Sequence, residues 1–403
     1  MATPKSLAAL TPWQRIRRDY LATPIDALIT LALLAALVAG GWQLLGWARH
    51  QARWSVIQAN GILLTLGRYP EPQRWRLWLL LALLAAAAGW SWGLLRGRHW
   101  PVNDRLALVV LSLTSAMVPA ALGLPTAISL RWWCLNLLLL VLRWAAGRWG
   151  SLLPAAVQRS WPLLWPLLYL VGMTLIAGGL GLVRVPSSLW GGLLLTLVEA
   201  TFAILLCFPI GLLLALGRRC PYPLLRWGSV AYIEFIRGAP LITLLFLGQN
   251  ILGFLLPGGL SPDRVWRAAW VLSFFAAAYV AEALRAGLAV VPRGQIEAAR
   301  ALGLSPLQSL NHVVLPQALK VALPALVGQF ITLLQDTTLL SLVGLMELLG
   351  TARGILSNPD YLNQSSEVYL VLGVLFWCCC TALGLGSRAL EKRLNREPMG
   401  SAA

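Results

Sequence analysis

The amino-acid sequence predicts an all-α integral membrane protein. Leu-rich apolar runs of about 17 to 25 residues recur along the 403-residue chain, and roughly 20 apolar residues span the hydrocarbon layer of a bilayer. Apolar residues make up 58% of the chain and charged residues only 12%, which exceeds what the core of a soluble protein needs. Several of the 20 tryptophans lie at the edges of the runs, where aromatic belts form.

About ten runs are predicted to cross the membrane. They are 24–46, 76–95, 105–124, 132–148, 161–183, 190–217, 229–254, 265–289, 317–345 and 367–388. Arginine clusters precede the first run, follow the second and sixth runs, and lie in the last six residues of the fourth, so those sides and both termini are predicted to be cytoplasmic. The clusters are Arg15, Arg17 and Arg18; Arg96 and Arg98; Arg143 and Arg148; and Arg218 and Arg219. Eight spans are the coherent alternative, with 132–148 and 161–183 both left out.

The composition divides the chain near Pro186. Residues 1–185 are Leu/Ala/Trp-rich and form a predicted accessory transmembrane region, 186–393 carry polar motifs, and 394–403 form a cytoplasmic tail. The net charge of +17 comes from short clusters between apolar runs, which argues against a nucleic-acid-binding face. The six cysteines and three histidines lack metal-ligand spacing, so no metal site is expected.

A polar stretch between the eighth and ninth runs, residues 293–316, carries the most informative motif. Residues 295–302 favour a short helix, Gly303 supplies a turn, and Ser305 can cap a second helix with Pro306 at its first position. The sequence therefore predicts a short helix-turn-helix at the cytoplasmic face of the membrane. Its defining residues are Gly294, Gln295, Glu297, Ala298, Ala299, Gly303, Leu315 and Pro316.

This pattern resembles the EAA loop of ABC importer permeases. In that family the loop docks into a groove on the nucleotide-binding subunit, so the resemblance implies that these eight residues couple the chain to an ATPase. Further stretches, from Tyr232 to Leu241, from Ala278 to Glu282 and from Leu315 to Leu319, are similar to polar amino-acid permeases. The segment from Gly67 to Arg76 looks like the larger permeases of general L-amino-acid transport systems. One departure is Gln335, where that family often has lysine.

The resemblance implies the rest of the assembly. Residues 186–393 would form the five-helix core of a type I ABC importer permease in the bacterial inner membrane. The expected partners are two ATPase subunits, a second permease subunit (a paralogue or a second copy), an external amino-acid-binding protein and membrane lipid. No Gly-rich phosphate loop occurs in the chain, so no cofactor is expected here and Mg-ATP would bind the partner ATPase.

Charged and polar residues at membrane depth are the candidates for the translocation path, because buried charges persist where they are paired, hydrated or functional. The candidates are Glu199, Glu234, Arg237, Gly238, Tyr279, Asp336, Thr337 and Thr338. Glu234 and Arg237 share a helical face and are expected to pair, as are Glu282 and Arg285. Gly238 and Pro240 are expected to break the helix that carries Glu234 and Arg237. This segment is then either a gate on the translocation path or the site of a structural ion pair.

Glu199 has no basic neighbour between Arg184 and Arg218. Two hypotheses follow: that it faces a water-filled path and attracts a cationic group of the substrate, or that it hydrogen-bonds a neighbouring helix.

The predicted function is therefore that of a non-catalytic permease subunit of an ATP-driven amino-acid importer. The alternative is an ion-coupled secondary transporter, which broken helices and buried carboxylates also suit. Such a carrier has no use for an EAA loop. Enzyme chemistry is set aside, because the sequence offers no nucleophile–base pair.

Overall fold

The computed structural model describes residues 19–97, 112, 126–154, 160–251 and 262–396, and its regular structure is helical. The α-helices are α1 (Pro24–His50), α2 (Ser55–Leu66), α3 (Arg74–Arg96), α4 (Thr126–Trp149), α5 (Leu164–Ala177), α6 (Gly192–Gly217), α7 (Pro223–Gly238), α8 (Leu241–Asn250), α9 (Arg264–Val290), α10 (Arg293–Ala301), α11 (Pro306–Ser309), α12 (Leu315–Asp336), α13 (Leu348–Leu356) and α14 (Ser365–Arg396). A π-helical segment, Leu310–Val314, joins α11 to α12, and a 3₁₀ segment, Thr337–Val343, follows α12.

Two compact units divide the chain, residues 1–54 and 55–403. In the first unit, α1 begins with a capping box in which Thr23 and Asp26 each accept the other's backbone N–H. None of the 27 residues of this helix is buried, as expected of a single apolar helix surrounded by lipid.

Helices α3 and α4 pack against each other through two glycines one turn apart. A Cβ atom on Gly89 would lie 2.2 Å from the Leu139 carbonyl oxygen, and one on Gly93 would lie 2.4 Å from the Arg143 carbonyl oxygen. Only glycine allows this approach, which is common between membrane helices. Arg143 is fully buried, with its guanidinium 5.2 Å from the centre of the Trp92 ring. Its side chain is therefore part of the packing between α3 and α4.

The segment between α2 and α3 is joined to the region that runs from α5 to the start of α6. The Tyr69 hydroxyl donates to the Ile176 carbonyl oxygen at 2.9 Å, and Arg76 donates to the Val183 carbonyl oxygen at 2.8 Å. Gly67, at φ +64°, packs so closely that a Cβ atom would lie 2.5 Å from the Gly191 backbone. The boundary near residue 185 is therefore not a break in packing.

Five spans form the C-terminal core, as predicted: α6, the pair α7/α8, α9, α12 and α14. Helix α9 lies at the centre, and its small buried residues let neighbouring helices approach closely. A Cβ atom on Gly287 of α9 would lie 2.4 Å from the Ala318 carbonyl oxygen of α12. Helices α7 and α8 meet at 104°, so the predicted span 229–254 is a broken one, as Gly238 and Pro240 indicated.

The described residues contain seven helices long and apolar enough to cross a bilayer, or eight with the α7/α8 pair. The predicted span 105–124 lies outside the described residues, apart from residue 112. The predicted span 161–183 is shorter than expected, because α5 ends at Ala177, where Gly178 adopts φ +81°. Ten spans thus remains a prediction for the whole chain.

Candidate coupling and translocation site

The predicted helix-turn-helix is present at the end of α9. Helix α10 ends in a Schellman motif, in which the Gly303 N–H donates to the Arg300 carbonyl at 2.9 Å and the Leu304 N–H to the Ala299 carbonyl at 3.1 Å. Gly303 adopts φ +77°, a conformation that glycine accepts without strain. The sequence therefore identified both the helix and the residue that ends it.

The second helix of the loop also begins as predicted. Ser305 and Gln308 form a capping box with bonds of 3.3 and 2.9 Å, and Pro306 occupies the first helical position. This helix is one turn long and continues through the π-helical segment into α12. Leu315 and Pro316 are consequently the first residues of α12, so the loop and the span form one mechanical unit.

The loop presents one side to solvent. Gly294, Gln295, Glu297 and Ala298 are exposed, whereas Ala299 is buried. Two leucines that the sequence prediction missed, Leu302 and Leu307, are 81% and 66% exposed. Exposed apolar residues of this size beside a small alanine suit a surface that is covered by a partner.

A cluster of ion pairs lies at the ends of α6, α7 and α9 and is centred on Glu282. Arg218 lies 2.7 Å from Glu282, Arg285 lies 3.0 Å from it, and Arg237 lies 3.9 Å from it. The predicted Glu282–Arg285 pair is confirmed. The cluster links three spans immediately before the loop of residues 293–316, called the coupling loop below.

The predicted pair between Glu234 and Arg237 is not formed. Glu234 instead lies 3.3 Å from Arg218, and Arg237 approaches Glu282 and the Tyr279 ring, 5.8 Å from its centre. The packing of α7 against α9 offers partners on other helices, and these compete with the local i,i+3 contact. Arg218 entered the sequence analysis only as a topology marker, so its part in this cluster was missed.

A cavity of about 300 Å³ lies between α8, α9 and α12. Its lining residues are Leu241, Phe275, Ala276, Tyr279, Gln329, Thr332, Leu333, Asp336 and Leu339. The structure therefore brings together two predicted path residues, Tyr279 and Asp336. Gln329 and Thr332 were missed, although their spacing from Asp336 places all three on one face of α12.

Thr337 and Thr338, which the sequence predicted for the path, do not line this cavity. Their hydroxyl groups donate to the carbonyl oxygens of Leu334 and Gln335, at 2.7 and 2.8 Å, and Thr337 is fully buried. Threonine hydroxyls commonly satisfy themselves on the preceding turn in this way.

Glu199 is also placed differently from the prediction. It is fully buried in α6 and lines no part of the cavity. Neither carboxylate oxygen has a hydrogen-bond partner in the described structure, so the hydrogen bond to a neighbouring helix is not formed. The nearby Tyr169 hydroxyl is likewise buried without a partner. Helix packing encloses the carboxylate, which sequence spacing could not reveal.

Glu347, outside the apolar spans, is fully buried. Its two oxygens accept the backbone N–H groups of Leu349 and Gly350 at 2.8 and 2.7 Å and cap α13. Burial raises the pKa of Glu347 to about 7, against the opposing effect of these two bonds.

Comparisons with known proteins identify what the chain is similar to. Residues 207–396 match the family described as "Binding-protein-dependent transport system inner membrane component". The glutamate/glutamine/aspartate/asparagine transport system permease protein BztC of Rhodobacter capsulatus is 33% identical over 90% of this chain and 82% of its own length. The inner membrane amino-acid ABC transporter permease protein YhdY of Escherichia coli is 39% identical over 65% of this chain and 72% of its own length.

A shorter relative matches about half of the chain. The probable glutamine ABC transporter permease protein GlnP of Bacillus subtilis is 35% identical over 51% of this chain and 94% of its own length. The similarity to the longer relative therefore extends well into the first 185 residues, because only 10% of the chain remains outside that alignment.

Proposed function

Because this chain belongs to the family of inner-membrane permease components of binding-protein-dependent amino-acid transport systems, we propose that its Gly294–Pro316 loop couples ATP hydrolysis to amino-acid movement. The chain is a multi-pass inner-membrane permease subunit that works with ATPase and permease partners. Family membership favours this ATP-driven mechanism over the ion-coupled alternative. The exposed loop is the observation that carries the proposal.

The exposed side of the loop would contact the ATPase subunit. Ala298 allows a partner to approach the α10 backbone closely, and Leu302 and Leu307 offer apolar surface that water would otherwise cover. Glu297 adds a charge at the edge of this surface. Mg-ATP would bind only in the partner, and no cofactor is assigned to this chain.

Movement of the loop would reach the membrane through the Glu282 cluster. Helix α10 follows α9 after two residues, so displacement of the loop pulls on the end of α9 that carries Glu282 and Arg285. The same carboxylate binds Arg218 after α6 and Arg237 on α7. The broken pair α7/α8, with Gly238 at the break, would then act as the gate.

The cavity around Tyr279 and Asp336 would form this subunit's half of the translocation path. Its mixture of aromatic, amide, hydroxyl and carboxylate groups suits a polar amino acid, with Asp336 available to the ammonium group. A second permease, either a paralogue or another copy, would supply the other half. An external binding protein would deliver the amino acid, and liganded binding protein with ATP would favour one orientation of the path.

The proposed orientation puts the coupling loop and both termini in the cytoplasm. The beginning of α9 then lies at the outer face. Arginines that follow α6 and α9 on the cytoplasmic side agree with the positive-inside rule.

Substitution of Ala298 by Trp tests the coupling proposal. Ala298 is exposed, so the chain should keep its thermal stability while the indole blocks close approach by the ATPase. Leu385→Trp, at an exposed position on α14, is the matched control. Tagged chains are purified from membranes with their partners, and recovered ATPase and amino-acid uptake are measured.

We expect Ala298→Trp to recover at least about tenfold less ATPase, which corresponds to a loss of about 1.4 kcal/mol of binding free energy, with uptake falling in step. Leu385→Trp should match the unsubstituted chain in both measurements. An Ala298→Trp variant that retains its ATPase and imports normally would contradict the docking proposal.

A further inference from the structure

A second cavity, of about 400 Å³, lies where α8 ends and α9 begins. Phe246, Gln249, Asn250, Arg264, Leu342 and Val343 line it. Its volume falls within the range of small-molecule sites, about 300 to 1,000 Å³. In the proposed orientation this outer cavity, as we call it, faces the side from which substrate arrives.

Arg264 supplies the positive charge of the outer cavity. One terminal nitrogen donates to the Val343 carbonyl oxygen at 2.8 Å, which fixes the direction of the side chain. No carboxylate of the described residues forms an ion pair with Arg264. The neighbouring Asp263 instead caps α9 through the Arg264 backbone N–H, at 2.7 Å, and accepts a hydrogen bond from Ser187. The guanidinium group, which has five N–H donors, therefore keeps donors for a ligand.

Gln249 places an unpaired acceptor in the same wall. Its side-chain nitrogen donates to the Arg264 carbonyl oxygen at 2.7 Å, whereas its side-chain oxygen accepts no hydrogen bond from the residues that the structure describes, and the residue is only 7% exposed. Arg267 donates to the Gln249 carbonyl oxygen, which holds the end of α8 against α9. A buried acceptor without a donor is costly, so a ligand that donates hydrogen bonds would relieve it.

We propose that the outer cavity binds the backbone of an incoming amino acid, with Arg264 taking the α-carboxylate and the side-chain oxygen of Gln249 or Asn250 taking the α-ammonium. A guanidinium binds carboxylates in a two-point geometry that a single ammonium cannot reproduce. This inference rests on the proposed function, because only a permease in the proposed orientation would receive amino acids at this end.

The outer cavity and the inner cavity around Asp336 are lined by the same two helices, α8 and α9. Helix α8 lines the inner one with Leu241 and the outer one with Gln249, and helix α9 contributes Tyr279 and Arg264 respectively. The 15 residues that separate Arg264 from Tyr279 correspond to about 22 Å along α9. An incoming amino acid would thus meet the Arg264 guanidinium first and the Asp336 carboxylate second. Because each cavity holds only one of these two charged groups, this arrangement favours passage of the amino acid over its retention in either cavity.

Binding to the assembled complex tests this proposal without interference from the external binding protein, which must also recognise amino acids. The ATPase–permease complex is purified without that protein and placed in lipid nanodiscs. Equilibrium binding of radiolabelled L-glutamine is competed with unlabelled L-glutamine or with L-glutaminamide, whose α-carboxylate is replaced by an amide. The variants are Arg264→Gln, Arg264→Lys and the charge-matched control Arg353→Gln on α13, outside both cavities.

We expect Arg264→Gln to weaken L-glutamine binding about tenfold, as for loss of a hydrogen bond to a charged group, and to abolish the preference over L-glutaminamide. Arg264→Lys should be intermediate, and Arg353→Gln should bind as the unsubstituted complex does. Repeating the series with Asp336→Asn removes the inner carboxylate, so an Arg264-dependent component that persists belongs to the outer cavity.

The outer site would be overturned if the Arg264→Gln complex bound both compounds as the unsubstituted complex does. It would also be overturned if no part of the binding depended on Arg264. Recovery of the ATPase subunit with each tagged variant verifies assembly. Reconstitution with the binding protein distinguishes failure of the proposed function from failure of the outer site. If the unsubstituted complex shows no ATP-driven uptake, the proposed function is wrong. If uptake is intact and Arg264→Gln binds as the unsubstituted complex does, only the outer site is rejected.

Discussion

At the scale of single residues, Glu282 has more ionic contacts than its sequence neighbourhood suggests. Its side chain is 18% exposed and is approached by Arg218, Arg237 and Arg285 from three helical segments. Without the Glu282 carboxylate, Arg237 and Arg285 would lose their ion-pair partner and Arg218 would keep only Glu234. The three guanidinium groups would then repel one another beside the coupling loop.

Glu282→Gln should therefore impair both stability and coupling. We expect a loss of about 1–3 kcal/mol of stability, a lower unfolding temperature in detergent, and reduced amino-acid uptake for the same amount of assembled complex. Glu234→Gln is the matched control, because Glu234 is 56% exposed and has one contact, at 3.3 Å. Its effect should stay below about 1 kcal/mol. Equal effects of the two substitutions would refute the central role of Glu282.

The residues that sequence reasoning misplaced share one cause. Glu199, Glu234 and Thr337 were assigned from their own helices, where spacing and polarity are visible. Their actual environments are set by neighbouring helices, which bury Glu199 and bring Arg218 to Glu234. By contrast, the Glu282–Arg285 contact lies within one helix and was predicted correctly.

At the scale of elements, the coupling loop was predictable because its signals are local. A capping serine, a proline at the first position and a glycine at the C-terminal turn act over three or four residues. The continuation of α11 through a π-helical segment into α12 carries no such signal. That continuity makes the loop a direct extension of a membrane span.

Gly303→Ala tests whether the loop must keep its turn. A Cβ atom at Gly303 would contact nothing within 4 Å, so the substitution acts only through the backbone, where φ +77° costs an L residue about 1–2 kcal/mol. We expect uptake and substrate-stimulated ATPase activity to fall up to about tenfold, since 1.4 kcal/mol corresponds to a factor of ten.

The control for this change is Gly373→Ala, in α14, which also has open space around the added carbon and no positive φ. Alanine suits a helix better than glycine does, so this control should transport normally. Normal transport by Gly303→Ala would mean that coupling does not depend on the shape of the turn.

At the scale of the whole molecule, the first 54 residues form a compact unit separate from residues 55–403. No residue of α1 is buried. The next segment is different, since Gly67 and Tyr69 contact Gly191 and Ile176 inside the second unit. The accessory region is thus two parts with different structural roles.

Exchanging residues 1–54 for an unrelated single-span anchor with a cytoplasmic N-terminus tests this division while preserving topology. We expect the exchanged chain to assemble with its ATPase and to import amino acids at wild-type rates. A loss of uptake in the exchanged chain, despite normal assembly, would assign the first unit a role in transport.

Gly67→Leu, in the second unit, should instead prevent folding, because the Cβ atom of the new side chain would lie 2.5 Å from the Gly191 backbone.

Composition and local spacing by themselves determined the membrane environment, the helical class, the five-span core and the coupling loop, because hydrophobic runs, caps and turns depend on neighbouring residues. Only the tertiary structure decided which of the polar residues line cavities and which are enclosed. It joined Tyr279 to Asp336, enclosed Glu199, paired Glu234 with Arg218, and built the outer cavity around Arg264 and Gln249. The reason is physical. Burial and ion pairing depend on how whole helices are rotated and crossed, and contacts between side chains distant in sequence determine that arrangement.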